Sequence, residues 1–407
     1  MKNILHSIIL LLVANVSFAQ VSGCTDSKAN NYNPLATVNN GTCTYNGSNI
    51  TPVVTKNLSN DLIETSGLIF WNNSIWSHND DTNIKLYSID TATAAVIQSY
   101  TLTNTINKDW EEVSQDSNYI YVGDFGNNSN GNRTDLHILR VEKNSLLLNT
   151  PIIDTINFSY SNQTNFTATG ANNTNFDCEA FLVSTDSIYL FTKQWVAEKT
   201  SIYTLPKTPG THVAQLRSTI NIQGLATGIT YLESKRLAVL CGYSKTLQPF
   251  FYLLYDFMNN DFANGNKRKI TVNLAFHQME GIATVNGLKY YASNEKLASL
   301  SIPQKLHTFD LTNYLNNYLN SIPTSLQYPR QASPINIFPN PAKDWLQLNI
   351  PAEFLHATFS IFDVTGKNRM NIQLTELQNT INIGLLPAGM YFIHVDERFE
   401  DIAFIKQ

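Results

Sequence analysis

Five stretches of this 407-residue chain repeat one pattern. They are SGLIFWNNSIWSHND (66–80), EEVSQDSNYIYVGDFGNN (111–128), EAFLVSTDSIYLFTKQW (179–195), TGITYLESKRLAVLCGY (227–243) and EGIATVNGLKYYASNEK (280–296). Each opens on a small or acidic residue, runs through an apolar strand, turns in two to four polar residues and returns in a second apolar strand. Further strand-like runs follow, such as IKLYSID (84–90) and FYLLYD (251–256). The starts lie 45, 68, 48 and 53 residues apart, close to the period of a propeller blade. A unit of this kind cannot bury both faces alone, so the copies must pack on one another. The expected fold is all-β: a five-bladed β-propeller over 57–320, with a sixth blade possible inside the 68-residue interval. LTNYLNNYL (311–319) reads as a short helix or a closing strand.

Before the propeller, residues 4–16 form a short apolar run behind Lys2, with Ser17-Phe18-Ala19 as a small-x-small cleavage site. This is the pattern of a secretory signal peptide over 1–19. No later run is apolar for long enough to span a bilayer, so no transmembrane segment is expected in the mature chain. Residues 20–46 are dominated by Asn, Asp, Gly and Pro. They lack a core and need a staple, for which Cys24 and Cys43 are the obvious pair. An exported chain meets an oxidising compartment, where such a disulfide persists. Cys178 and Cys241 fall on inner strands and are expected as buried free thiols. NGSNITPVVTK (46–56) reads as a polar linker, and the proline-bearing segment 321–334 as an interdomain linker. Residues 335–407 alternate in strand fashion around Gly366 and Gly389 and are expected to form a small Ig-like β-sandwich.

Charge narrows the function classes. The formal charge is −5, only 14% of residues are charged, and no basic run exists. A nucleic-acid footprint is therefore absent. In a meander blade, the start of the first strand and the end of the second share one face. Glu111, Glu179 and Glu280 start three blades, and Asp124, Asp80, Asn79, Asn294 and Glu295 end hairpins. These residues are expected to converge on one mouth of the central channel. Crowded carboxylates raise one another's pKa, and a cation relieves the repulsion. Oxygen donors without thiolate or imidazole suit Ca²⁺, with Glu111, Glu179, Glu280 and Asp124 as candidate ligands. The same glutamates have a bland alternative use, accepting backbone N–H bonds from the neighbouring blade. His78 lies near the mouth, as a solvated histidine or a general base. Neither G-x-S-x-G nor H-E-x-x-H occurs. The expectation is a binding module that takes an extracellular ligand. The alternative is a metal-assisted phosphoester or ester hydrolase, so whether the chain is an enzyme stays open.

Three resemblances add to this reading. GCTD…NYNP over 23–34, with Ala36, Gly41 and Cys43, resembles a short module of secreted Bacteroidota proteins, used as a calcium- or surface-interaction element or as a stapled spacer. The motifs Ser66-Gly67-Leu68, Asp109-Trp110-Glu111-Glu112, Gly123-Asp124-Phe125-Gly126-Asn127-Asn128, Glu179-Ala180 and Glu280-Gly281-Ile282 resemble exported bacterial propellers of the esterase-like phytase and SdiA-regulated kind. The fourth blade departs from them, with Thr227-Gly228-Ile229 and no acid. Finally, Pro339-Asn340-Pro341, the strand and turn Ile361 to Lys367 with Thr365-Gly366-Lys367, the run Leu386 to Ile393 with Gly389 and Tyr391, and the terminal Ile405-Lys406-Gln407 resemble the type A C-terminal sorting domain of the Bacteroidota type IX secretion system. That resemblance implies export to the medium or the outer cell surface. It also implies that the secretion machinery and its sortase-like peptidase are partners.

Overall fold

The computed structural model describes residues 20–321, 335–350, 354, 358–394 and 401–407. The signal-peptide reading at 1–19 lies outside the described residues, as does the linker reading at 321–334 apart from Ser321, which ends a helix. The chain divides into two compact units, Met1–Ser321 and Ile322–Gln407.

Five four-stranded meander sheets make up the first unit, and each predicted hairpin supplies the two inner strands of one sheet. Blade 1 holds Thr65–Trp71, Ser74–Asn79, Lys85–Ile89 and Val96–Thr101. Blade 2 holds Trp110–Gln115, Tyr119–Asp124, His137–Glu142 and Ile153–Tyr160. Blade 3 holds Asp177–Val183, Ser187–Lys193, Thr200–Pro206 and Gly210–Ile220. Blade 4 holds Leu225–Leu232, Leu237–Tyr243, Pro249–Tyr255 and Asn266–Val272. Blade 5 holds Met279–Thr284, Lys289–Asn294 and Lys305–Asp310. The innermost strands touch in the cyclic order 1-2-3-4-5-1, which closes the ring. The long interval between the second and third starts holds the outer strands of blade 2, the helix Lys143–Leu147 and a loop over 161–176, so the described residues form five blades.

The inner hairpins are apolar because both of their faces are covered. Every residue of Leu237–Tyr243, the second strand of blade 4, is buried, and the burial extends to every residue of its third strand, Pro249–Tyr255. Between blades 4 and 5, Phe251 meets Phe309 edge-on at 4.9 Å. Full burial of one such ring is worth about 1.5–3 kcal/mol.

The segment expected to be a polar linker is structural. Val54–Asn57 pairs antiparallel with Lys305–Asp310 as the fourth strand of blade 5, and Asn49–Ile50 adds in parallel to the outer edge of blade 4. The β-branched run Val53-Val54-Thr55 explains the choice, since it favours a pleated edge over a coil. Residues 311–319 are consequently free to be helix, and Thr312–Ser321 is one, with Leu315 buried. The two outer strands of blades 2 and 3 also pair in parallel, Ile156 opposite Gly210 through Tyr160 opposite Ala214.

Cys24 and Cys43 form a disulfide, with Cα atoms 4.9 Å apart. The stapled module is fixed to blade 4. Thr25 Oγ1 and Asn39 Nδ2 each donate to Asp256 Oδ2 at 3.0 Å, and the hydroxyls of Tyr45 and Tyr255 both donate to Asp26 Oδ2. Cys178 and Cys241 are free and buried.

The second unit packs two sheets. One orders Asn336–Phe338, Trp345–Asn349 and Gln378–Asn382; the other orders Asn368–Gln373, Thr358–Asp363, Gly389–His394 and Ile402–Lys406. Leu346, Leu348, Phe359, Ile361, Ile381, Ile393 and Phe404 form its core. The turn Pro339-Asn340-Pro341 is tied to the last strand, where Asn340 Nδ2 donates to Ala403 O and Ile405 N donates to Asn340 Oδ1, both at 3.0 Å. Gly366 takes φ +78° in a turn closed by Asp363, whose Oδ1 accepts from the backbone N–H groups of Thr365 and Lys367. Tyr391 OH donates to Pro387 O at 2.9 Å.

Candidate functional site

All five innermost strands break register at the same place near their start. The irregularity falls at Ser66-Gly67, Glu111, Glu179, Thr227 and Glu280. A bulge re-aims the side chain it carries. Three blades therefore carry a glutamate there and two carry a hydroxyl. The hydroxyls lock the ring: Ser66 Oγ donates to Glu111 O, and Thr227 Oγ1 donates to Met279 O at 2.5 Å. The missing acid of the fourth blade is thereby explained.

The residue that follows is Gly67, Ala180, Gly228 and Gly281 in blades 1, 3, 4 and 5, and Glu112 in blade 2. Glu112 fills the axis. Its carboxyl accepts from Val113 N at 2.9 Å and Ile229 N at 2.8 Å, thus reaching from blade 2 to blade 4. A Cβ on Gly67 would collide with Oε1 of Glu112, and one on Gly228 would stand 3.1 Å from Oε2. The bland use anticipated for Glu111, Glu179 and Glu280 thus belongs to their neighbour. Burial holds the Glu112 carboxyl well above the ordinary carboxylate range.

Above this plug lies an acidic mouth in two clusters. Glu64, Asp80 and Glu295 each offer an oxygen within 4.8 Å of the others and are half-buried. Glu111, Asp177 and Glu179 do the same and are buried. The acids that sequence reasoning missed are Glu64, Asp109 and Asp177. Each stands two residues before a bulge, in blades 1, 2 and 3, so the readable signal was an acid two positions ahead of the start motif.

The two clusters differ in how their charge is met. Glu179 pairs with the buried Lys193, whose Nζ also donates to Tyr243 OH at 3.0 Å. Asp177 accepts from Trp195 Nε1 at 2.7 Å and from Asn127 N at 2.6 Å. Asp124 is set apart from both clusters. Arg133 pairs with its Oδ1 at 2.7 Å and Lys108 N donates to its Oδ2 at 3.0 Å, so this expected ligand is already neutralised. Glu280 stands between the clusters, where burial pushes its pKa up to about 7 against the opposing pull of Lys193. No ion pair reaches Glu64, Asp80 or Glu295 among the described residues. Burial, with repulsion from Glu280, Glu64 and Asp109, pushes Asp80 up to about 8. Burial and the charges of Glu280 and Asp80 push Glu295 up to about 10.

His78 is neither solvated nor placed as a base. It is fully buried, its Nδ1 bonds to Asn79 O at 3.1 Å, and burial lowers its pKa to about 4. Asn79 and Asn294 are structural, donating to Asp61 O and to Glu295 O and Pro303 O. Trp76 and Trp110 are buried in the packing between blades 1 and 2, with Trp71 partly buried against them. Trp195 lies half-exposed over Lys193, whose Nζ is 4.6 Å from the ring centroid.

No curated protein matches the chain. Among solved structures, PorZ, described as a bacterial surface component of the type-IX secretion system of Porphyromonas gingivalis, aligns at 13% identity and TM-score 0.30 over 84% of this chain and 45% of its own. The chain thus spans less than half of that protein. The WD40 repeats of RRP9 align at 8% identity and TM-score 0.34 over 64% of this chain and 99% of that one. At such scores the blade count rests on the sheet order alone. Residues 336–403 match the family described as secretion system C-terminal sorting domain. The chain therefore carries a type IX secretion sorting domain behind its five-bladed propeller, which marks it for export to the medium or the cell surface.

Proposed function

We propose that this protein is an exported binding propeller that takes its ligand at the acidic mouth and holds a Ca²⁺ ion there. The reading moves the ion from Glu111, Glu179, Glu280 and Asp124 to Glu64, Asp80 and Glu295. One observation carries it: three half-buried carboxylates from blades 1 and 5 converge within 4.8 Å without a basic partner. Hard oxygen donors at a partly open position suit Ca²⁺, with carbonyls and water completing the shell. Neutralising the cluster removes a repulsion that the fold otherwise carries. The sorting domain delivers the propeller to an outside compartment, where the secretion machinery and its peptidase are its first partners.

The test is thermal. A ligand that binds only the folded state stabilises by about 2.7 kcal/mol at a hundredfold excess over Kd. For a domain of this size that is a rise in Tm of roughly 5 °C. Millimolar calcium should produce it against EDTA, and Glu295→Gln should remove most of it. Identical melting curves with and without calcium would overturn the ion site.

A further inference from the structure

We infer that the mouth-bearing face docks an extended polypeptide that inserts one Lys or Arg side chain between Asp109 and Glu111 and lays apolar neighbours on the rim. The inference rests on the mouth being a binding site and names the class of its partner.

Glu111 supplies the anchor. It is 6% exposed, yet no hydrogen bond or ion pair reaches its carboxylate among the described residues. Its acidic neighbours are matched, Glu179 by Lys193, Asp177 by Trp195 and Asn127, and Asp124 by Arg133. Burial, with repulsion from Glu179, Asp109 and Asp177, holds Glu111 well above the ordinary carboxylate range. Asp109 is half-buried. The two carboxylates converge over Gly126, where an added Cβ would collide with Glu111 Oε1 and Asp109 Oδ2. The half-buried Asp109 and the buried Glu111 thus form an acidic pair against the Gly126 backbone. A long cationic side chain suits a partly buried acidic pair, because its stem can lie on apolar surface while its head meets the charge.

The rim argues for a polypeptide over a bare ion. Loops that lead into inner strands and loops that join second to third strands all emerge on the mouth face. Five of them present exposed apolar side chains: Ile106, Phe166, Val196, Phe276 and Leu300. Such residues offer an ion nothing. Ringed around a charged centre, they have the composition of a recognition surface with an apolar contact zone and one deep anchor. On the rim, Lys108 pairs with Asp135 at 2.7 Å and Lys245 with Glu198 at 3.2 Å, while Lys199 and Lys296 are exposed. The centre itself is lined by carboxylates and favours a basic anchor.

The experiment selects ten-residue peptides from a random displayed library on the immobilised full chain in millimolar calcium. Enriched peptides should carry one Lys or Arg flanked by aliphatic or aromatic residues. Their affinity should fall at least tenfold on Glu111→Gln and on Ile106→Asp, both checked for an unchanged melting curve. Failure to enrich, enrichment of acidic or uncharged sequences, or indifference to Glu111→Gln would overturn the inference. Peptide binding without any calcium response would leave this inference standing and remove the ion site alone.

Discussion

At the scale of single residues, the mouth and the histidines respond to pH in opposite directions. Asp109, Glu280 and Asp80 titrate at about 6, 7 and 8 in the folded chain, above the ordinary carboxylate value near 4. Between pH 4 and 8 the folded state keeps protons that the unfolded chain releases, so their contribution to stability is lost as pH rises. His307, lowered to about 3, and His78, lowered to about 4, refuse protons that the unfolded chain accepts below about 6.5, so their contribution is lost as pH falls. Above pH 6.5 the histidines no longer act; the mouth carboxylates weaken calcium-free protein as pH rises, against the opposite effect of Lys143 and Lys269, whose burial lowers them to about 8. A bound cation favours the charged carboxylates, so the gap in Tm between calcium and EDTA should widen across that range. A gap that is flat with pH in parallel melts would contradict the cluster electrostatics. Part of this site was legible in the sequence. Glu111, Glu179 and Glu280 recur at one position because the bulge recurs there. Their separate fates were not legible, because Lys193 pairs with Glu179 alone, a contact made only once the blade 3 hairpin has folded.

At the scale of elements, the inner hairpins were readable and the outer edges were not. An inner strand is covered on both sides and therefore reads as an apolar run, as in LAVLCGY at 237–243. An outer strand such as Val96–Thr101 is largely solvated, and its pattern is weak. The closing strand Val54–Asn57 escaped recognition because it is four residues long and follows Pro52 in an Asn-rich stretch. Its importance exceeds its length. It covers the outer edge of blade 5 and supplies Thr55 Oγ1 to His307 Nδ1 at 2.9 Å, while His307 Nε2 bonds Asn294 Oδ1 at 2.8 Å. Asn294 Nδ2 is spent on donating, so its Oδ1 accepts from Nε2–H and Nδ1 accepts from Thr55. A chain starting at Leu58 should lose about 4 kcal/mol relative to one starting at Thr51, at roughly 1 kcal/mol for each ladder bond and its polar partner. Urea unfolding of the two chains measures the difference; coincident transitions would show that blade 5 closes without this strand.

At the scale of the whole molecule, the propeller and the sorting domain are separate compact units. The sorting unit has its own core, and the sequence motifs that announce it have mechanical reasons: Asn340 bonds the final strand, and Asp363 with Gly366 closes a turn. Removal of residues 335–407 should leave the purified propeller with an unchanged calcium response and melting curve, while the protein fails to reach the cell exterior. Truncated protein appearing outside intact cells at the full-length level would refute the assignment of the tail. The ring closure has one more consequence. Both ends of the propeller sequence meet in blade 5, where Val54 lies opposite Thr308. Tension drawn between the amino-terminal module and the sorting unit must first strip the module's bonds to Asp256 and the edge pairing of Asn49–Ile50 on blade 4. Only then does it reach this strand pair, which it loads at one end and peels bond by bond, so the outer edge of blade 4 and then blade 5 are the links that yield in order.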